Sequence, residues 1–554
     1  MNHEILTNEL DEETKLLINK VEIMEEEINK KDEQLSSKDE EIDNNKKEIQ
    51  QLKNEIEFLK GVISNRNKKI FGKSSEQVDI NQLSLFNEAE KHSDSKVEEP
   101  TLEQITYKRA KKNNITGKKD NLANLERKVI EHKLEGDDLK CKTCGDDLVE
   151  IGVKSKKEII KYIPAKLIVE EHIMYSYVCK SCEKESIESN IISTKAPKTI
   201  FYNSMASNEL IAHTITLKYQ HAMPLYRQQA YFDMMGATLS RQTLCNWTMA
   251  AAKELEPIYN YMKEDLLERN YIHADETTLK VINDNGKDSN SKKYMWLYMS
   301  ETDNRPVILY DYQSTRSSSC PKNFLGDYNG YLQTDGYSGY NSVSGATRIY
   351  CLAHIRRKFH EIVSNLDKDA LKESRAIIGF NYCEQIYKLE KELRETYSND
   401  LNYYDIRYKE RNEKLAIILE NFSEYINKEI PEALPRSPLG KALEYAKKHI
   451  PSLKNVLLDG SLEVDNNAAE RKIKPFVIGR KNFLFANTSK GATCSAQIYS
   501  IIETAKSNNL IIEKYLVYLF ENLVGLDPTH SEGLENLMPW SSTLPATLKI
   551  KEKK

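Results

Sequence analysis

Two β-prone runs that each end in an aspartate constrain this chain more than any other feature. Tyr271-Ile-His-Ala-Asp275-Glu-Thr-Thr-Leu-Lys-Val281 delivers a carboxylate from an apolar, strand-like run, and Gly330-Tyr-Leu-Gln-Thr-Asp335-Gly-Tyr-Ser-Gly-Tyr340 does so again before a Gly/Ser turn. A strand-end Asp on its own often does no more than cap a turn. Two on neighbouring strands would make a pair of hard oxygen ligands, the kind that holds Mg²⁺ while substrate phosphate completes the shell. The pair points to phosphoryl chemistry on a nucleic acid and calls for further ligands.

The residues around the pair read as a sheet. Lys293-Tyr-Met-Trp-Leu-Tyr-Met299 and Pro306-Val-Ile-Leu-Tyr-Asp-Tyr312 are strand-like, so the order is β-β-β, a short connection and β. Arg348-Ile-Tyr-Cys-Leu-Ala-His-Ile-Arg-Arg-Lys-Phe359 reads as another strand running into a basic helix, where His354, Arg356 and Arg357 face phosphate or the acidic site. A long helical, charged interval at about 360–455 then reads as an insertion beside the sheet. After it, Leu462-Glu-Val-Asp-Asn-Asn-Ala-Ala-Glu-Arg-Lys-Ile-Lys-Pro475 predicts an Asn-capped helix with Glu470 one turn inside and Arg471 and Lys474 nearby. Glu276, Glu463 and Asp465 are secondary candidates: Glu276 should face the other side of its strand, Glu463 lies in a strand-like approach, and Asp465 suits a cap. Arg480 and Lys481, followed by Asn482, are expected phosphate contacts. An Asp after strand one, an Asp after strand four and a Glu on a late helix is the order of an RNase-H-like nuclease or integrase core.

A chain of 554 residues divides into several domains. Val21, Ile28, Leu35, Ile42, Ile49, Ile56 and Ile63 recur at heptad spacing, with Leu17, Met24, Leu52 and Leu59 on a second seam. This predicts a coiled coil and a homo-oligomer, with Lys31, Lys38 and Asn45 weakening the second seam and setting register. A polar stretch follows, with Lys108, Arg109, Lys111, Lys112, Lys118 and Lys119, and reads as a mobile linker. Cys141-Lys-Thr-Cys144 and Cys179-Lys-Ser-Cys182 bracket a strand-like run from Ala165 to Val178. Four thiolates in two such pairs fit one structural Zn²⁺ in a ribbon, a closed site without chemistry of its own. The other five of nine cysteines read as ordinary buried thiols.

Residues 200–255 read as helices. Pro224-Leu-Tyr-Arg-Gln leads into one, Met235-Gly236 turns, and Leu239-Ser-Arg-Gln-Thr-Leu-Cys-Asn-Trp247 opens the next at a Ser cap. Such helix-turn-helix spacing would offer Arg241, Gln242 and Asn246 to a major groove. The net charge of −5 does not oppose a DNA partner: the first 60 residues hold 18 acidic against 9 basic residues, a balance of −9, which leaves +4 for the remainder. No apolar run approaches the roughly 20 residues of a membrane span, and the acidic N-terminus lacks a signal peptide's pattern, so a cytoplasmic protein acting on DNA is expected.

The chain resembles the transposases of the insertion sequence 66 family. The resemblance rests on Lys69-Ile-Phe-Gly-Lys-Ser-Ser-Glu76, both Cys pairs, Leu225-Tyr-Arg-Gln228, His273-Ala-Asp-Glu-Thr277, Thr334-Asp-Gly-Tyr-Ser-Gly-Tyr340, Cys351-Leu-Ala-His354, Asp465-Asn-Asn-Ala-Ala-Glu-Arg471, Ile478-Gly-Arg-Lys-Asn-Phe-Leu-Phe485 and Gly491-Ala. Phe483 stands where the family pattern favours Trp, a change that keeps an aromatic. The resemblance implies a DDE triad of Asp275, Asp335 and Glu470 and cut-and-strand-transfer chemistry on double-stranded DNA, at the element's terminal inverted repeats and a target. It also implies possible accessory proteins of the same element. Two Mg²⁺ (or Mn²⁺) ions would serve, with Asp275 bridging both. A catalytically inactive DNA-binding regulator and a coiled-coil and zinc-ribbon scaffold are the alternatives.

The expected organisation is multidomain α/β. It comprises a coiled coil at 1–75, a charged linker at 76–125, a zinc ribbon at 126–192 and a helix-turn-helix-like DNA-binding region at 193–262. An RNase-H-like catalytic domain follows at 263–500 with the helical insertion, and then a C-terminal helical region and tail at 501–554.

Overall fold

The computed structural model describes residues 12–71, 165–178, 191–194, 199–201, 204–284, 292–301, 305–366, 371, 374–524 and 533–550. The linker at 76–125 and Cys141, Cys144, Cys179 and Cys182 lie outside the described residues. Glu12–Phe71 is one helix of 60 residues, α1. Its described seam residues, among them Val21, Ile28, Leu35, Ile42 and Ile49, are all exposed. Ser176–Val178 (β1) and Ile191–Ser193 (β2) pair antiparallel. Only three residues of the run expected to be a strand from Ala165 enter that ladder; Leu167 packs on the main core, while Ile168, Val169, Ile173 and Met174 are exposed.

Among the described residues, four helices between β2 and Tyr271 lead into the main sheet. Ser207 caps Asn208–Tyr219 (α2) by accepting from Leu210 N, and Pro224 leads into Leu225–Met234 (α3). Gly236 makes the turn with φ +89°, a backbone that side chains with a Cβ rarely adopt. Ser240 then caps Arg241–Glu254 (α4), accepting from Thr243 N at 3.0 Å, and Glu256–Leu267 (α5) completes the set. Phe232, Leu244, Ala251, Ile258 and Met262 are buried in the same core as the sheet. The helix-turn-helix-like region is therefore packed onto the sheet rather than set apart from it.

The sheet contains Tyr271–Leu279 (β3), Lys293–Ser300, Val307–Gln313, Tyr331–Thr334 and Thr347–Tyr350. Val281–Asn283 is β4, so these last four are β5, β6, β7 and β8. The order is β6-β5-β3-β7-β8, antiparallel on the β6-β5-β3 side and parallel from β3 through β7 to β8. Ser319–Leu325 (α6) connects β6 to β7. All eight residues of β5 are buried, as expected of a strand covered on both faces.

Leu352–Val363 (α7), Ala376–Tyr397 (α8), Tyr403–Glu410 (α9), Ala416–Glu429 (α10) and Pro438–Leu453 (α11) follow. They build a second core from Phe359, Ile386, Leu419, Phe422, Leu443 and Ile450, which meets the sheet at Ile349, Tyr350 and Tyr271. Asn467–Phe483 (α12) then returns to β3 and β5. Ala486–Thr488 (β9) pairs parallel with β4, and Ser489–Ser507 (α13) and Ile512–Leu523 (α14) complete the first core.

α13 runs straight through residue 500, so the boundary expected there falls inside a helix. The reason is tertiary: α13 closes the β6 edge. Thr504 Oγ1 accepts from Ile308 N and donates to Ile308 O, both at 2.9 Å, and Ser500 Oγ accepts from Tyr310 N at 2.7 Å. An open edge strand exposes such groups to foreign strands, and here a helix satisfies them. Thr504→Val should cost about 1–3 kcal/mol, because a buried amide and carbonyl lose their partner. Chemical denaturation measures this, and an unchanged unfolding midpoint would refute the edge-closing role.

Candidate active site

β3 and β7 run parallel with Tyr271 level with Tyr331 and His273 level with Gln333. Asp275 lies two residues beyond that paired stretch on β3, and Asp335 lies just past the end of β7 at Thr334. Glu470 comes to them from the first turn of α12, which packs on β3. Burial raises the Asp275 carboxyl well above its usual range, and the charges of Glu276, Glu470 and Asp335 raise it further. A hydrogen bond from Glu276 N to Asp275 Oδ1, 2.8 Å, opposes the rise. Like charges gathered in a low dielectric resist ionising together unless a cation joins them, so the chemistry of this trio is one that could hold a metal ion.

Asp335 is held from several sides. Its Oδ1 accepts from Tyr337 N at 3.0 Å, and Arg316 Nη2 lies 3.7 Å from Oδ2. Arg348 Nη2 donates to the Asp335 carbonyl at 2.7 Å and to Thr334 Oγ1 at 2.6 Å. The secondary candidates have other occupations. Glu276 accepts from Arg316 Nε at 2.7 Å and from the Tyr340 hydroxyl, so it is ion-paired. Glu463 receives Arg407 Nη1 at 2.9 Å and Nη2 at 3.0 Å in a segment that is not a strand.

The expected Asn cap needs correcting. Asn466 occupies the cap position of α12 but makes no side-chain cap; Asp465 Oδ1 instead accepts from Asn467 N at 3.1 Å. The Asn466 side chain reaches across to β3, donating Nδ2 to Ala274 O at 2.9 Å and meeting His273 Nδ1 at 2.9 Å through Oδ1. Since that amide oxygen only accepts, His273 Nδ1 carries the proton. Burial lowers the His273 pKa, so the ring is a neutral strut. Asn466 thus pins the start of α12 beside Asp275 and so aims Glu470. Asn466 was read from the sequence only as a cap, and the one local hint of more is the doubled Asn before the helix. Asn466→Ala should lower end cleavage by about 10²-fold with DNA affinity kept, the size of a roughly 1 Å misplacement. An equal loss of binding would argue for a merely structural role.

Of the expected DNA contacts, Arg241, Gln242 and Asn246 are exposed along one side of α4, with Gln242 Nε2 donating to Asn246 Oδ1 at 2.8 Å. Arg471 and Lys481 are exposed and Lys474 is half-buried. Arg356 is half-buried and paired with Glu384. Three others are turned inward, away from the surface where DNA phosphate would lie, and of the two readings of His354 the acidic site is the one the structure favours, since it lies beside Glu470. His354 and Arg357 are only 5% and 6% exposed on the inner face of α7, and Arg480, 8% exposed, donates Nη1 to Thr278 Oγ1 at 2.9 Å. Burial holds the Arg480 pKa down at about 10 and the His354 pKa down at about 3.

Residues 203–494, more than half of the chain and all three acids, match the family described as Transposase IS66 family. The chain belongs to the IS66 family of transposases. Residues 138–183 of the transposase match the zinc-finger binding domain of transposase IS66, a span that includes all four ribbon cysteines, and residues 59–130 match Transposase C of IS166 homeodomain. The transposase is 28% identical over 424 residues to the uncharacterized protein y4jD of Sinorhizobium fredii (strain NBRC 101917 / NGR234), covering 74% of this chain and 79% of that one. It is 27% identical over 439 residues to the uncharacterized protein y4qI of the same organism, covering 76% of each. It is thus an insertion-sequence transposase with a zinc-finger region and DNA as partner, and its family implies a divalent metal. Among the described residues no helix is long and apolar enough to cross a membrane.

Proposed function

We propose that Asp275, Asp335 and Glu470 are the catalytic carboxylates, and that the transposase cuts DNA at the terminal inverted repeats of its element and joins the ends to target DNA. The observation that carries this reading is that the charges of Asp335, just past β7, and of Glu470, on the helix pinned to β3, both bear on the buried Asp275 carboxyl. A buried Asp275 whose proton affinity is raised further by the charges of Glu470 and Asp335 fits, with those two acids, hard cations, Mg²⁺ or Mn²⁺. When bound, the ions supply activation of the attacking oxygen and stabilisation of the leaving oxygen. Asp275 is central to both positions, flanked by Asp335 and Glu470. Asn466 fixes the helix that bears Glu470, and Arg348 and Tyr337 fix the turn that bears Asp335.

Strand order β6-β5-β3-β7-β8 with an acid on β3, one after β7 and one on a later helix supports an RNase-H-like core interrupted by the helical second core. The exposed row Arg241, Gln242 and Asn246 on α4 suits a DNA groove, while Arg471 and Lys474, within about a turn of Glu470 on α12, and Lys481 in the last turn of that helix suit phosphate. α1 with its exposed apolar seam supports a homo-oligomeric coiled coil. Cys141, Cys144, Cys179 and Cys182 would hold one structural Zn²⁺. Purified protein incubated with labelled element ends and Mg²⁺ tests the reading by product mapping. Nicked, cut and joined products are expected, whereas binding of ends without any cleavage would mark a regulator instead.

A further inference from the structure

Cys351, His354 and Glu470 meet where β8, α7 and α12 converge. One ligand atom from each lies within 4.8 Å of the others, and all three side chains are buried. The arrangement follows from local structure. Cys351 ends the β8 run and takes the cap position of α7, which places its sulfur at the positive end of a helix. His354, three residues on, falls on the same side of α7. Glu470 sits in the first turn of α12, and the same α12 start donates Asn466 N to Cys351 Sγ at 3.1 Å. Burial and the charges of Asp465 and Glu470 push the Cys351 thiol up, against the opposing Asn466 N–H, so the sulfur is a thiol until a cation displaces its proton.

We propose that Cys351, His354 and Glu470 bind a thiophilic divalent cation of the zinc type, and that filling this site switches cleavage off by drawing Glu470 away from Asp275 and Asp335. The second half rests on the proposed roles of those carboxylates; the first does not. A thiolate, an imidazole and a carboxylate are zinc ligands that Mg²⁺, an oxygen-seeking ion, does not choose. Tetrahedral bonds of about 2.0–2.3 Å set neighbouring ligand atoms about 3.3–3.8 Å apart, so the cluster needs to contract by no more than about 1.5 Å. The fourth position remains for water or phosphate. Binding releases the proton of the Cys351 thiol to solvent. Because Glu470 belongs to both sets, the soft and hard ions compete for one carboxylate.

The test uses the full chain, dialysed against Zn²⁺ and counted for bound metal; the four ribbon cysteines are present in every protein compared. The unaltered chain should retain one zinc per chain more than Cys351→Ser and His354→Gln, while Asp275→Asn keeps the unaltered count. Equal counts in all four proteins overturn the site. Where a variant fails to fold, judged by circular dichroism, zinc K-edge absorption of the unaltered protein decides: a mixed sulfur and nitrogen/oxygen shell supports the site, and an all-sulfur shell overturns it. In Mg²⁺-driven cleavage, with each protein normalised to its own zinc-free rate, Cys351→Ser should need about tenfold to hundredfold more zinc for half-inhibition. The same zinc sensitivity in both proteins overturns the switch. Retained cleavage by Asp275→Asn would instead sink the active-site assignment and leave the metal count standing.

Discussion

Asp275→Asn should lower end cleavage and strand transfer by about 10³-fold or more, since metal-held carboxylates supply several kcal/mol of charge stabilisation and each 1.4 kcal/mol is a decade. The substitution keeps the size and a hydrogen-bonding oxygen for Glu276 N, so the loss would be of charge rather than shape. The same change carries an opposite expectation for stability. The folded Asp275 carboxyl lies above its unfolded value, raised first by burial and then by Glu276, Glu470 and Asp335. At low pH both states are protonated and nothing is lost. As pH rises past the ordinary carboxylate range, the unfolded chain releases its proton while the folded one retains it, and stability falls until the folded pKa is passed. Asn has no such penalty, so the metal-free variant should melt higher than the parent at pH 8 and equally at low pH. Mg²⁺ should raise the melting temperature of the parent more at pH 8 than at pH 5 and do little for the variant. A variant that cleaves normally, or a parent whose melting ignores Mg²⁺ at every pH, would sink the assignment of Asp275.

Glu390→Ala should destabilise the chain by about 3–5 kcal/mol, the cost of leaving buried charge unpaired. Glu390 lies on α8 between two arginines that are almost wholly enclosed. Arg407 reaches its Oε2 from Nε at 3.0 Å and Nη2 at 2.7 Å, and Arg411 reaches Oε1 from Nε at 2.7 Å. Burial pushes the Glu390 carboxyl up, but Arg411 and Arg407 outweigh it and hold the pKa below its usual value. A depressed folded pKa gives stability that is present above the unfolded value and lost as pH falls through the folded one, so the parent should unfold in acid where the variant has little left to lose. Replacing the whole Glu390–Arg407–Arg411 group by apolar residues of similar volume should recover much of the loss, because it leaves no orphan charge. Arg407 also holds Glu463, whose backbone N donates to Tyr271 OH at 3.0 Å on β3. The network therefore ties the helical second core to the strand that carries Asp275, and cleavage should fall along with stability. Urea denaturation measures the first effect; a loss below about 1 kcal/mol would mean that the arginines find other partners.

The strands were legible because their signal is local. Lys293–Ser300 and Val307–Gln313 are largely apolar, β-prone runs of strand length, as a sheet covered on both faces demands, and Tyr271–Leu279 and Tyr331–Thr334 open on apolar, β-prone residues before turning polar. The start of α12 was legible from its polar lead-in, and the α3-turn-α4 unit from Gly236 and the Ser240 cap. Partner identity was not. His273 and Asn466 meet across 193 positions, and nothing in either local pattern names the other. Arg316, which bonds Glu276 and approaches Asp335, was missed because a basic residue in a Ser-rich loop reads as solvated surface.

What the sequence determined by itself is the inventory: which runs become strands, where the helices begin, and that Asp335 follows a strand and Glu470 sits in a first helical turn; Asp275, read at a strand end, instead lies in the middle of β3. Those follow from spacing and from side chains acting on their own backbone, interactions that reach only a few residues. Only the tertiary structure decided that Asp335 and Glu470 bring their charge to Asp275, that Asn466 braces β3 instead of capping α12, and that His354 turns inward toward Cys351 and Glu470. Sheet register and helix docking are set by the burial of whole faces, and burial depends on residues hundreds of positions apart.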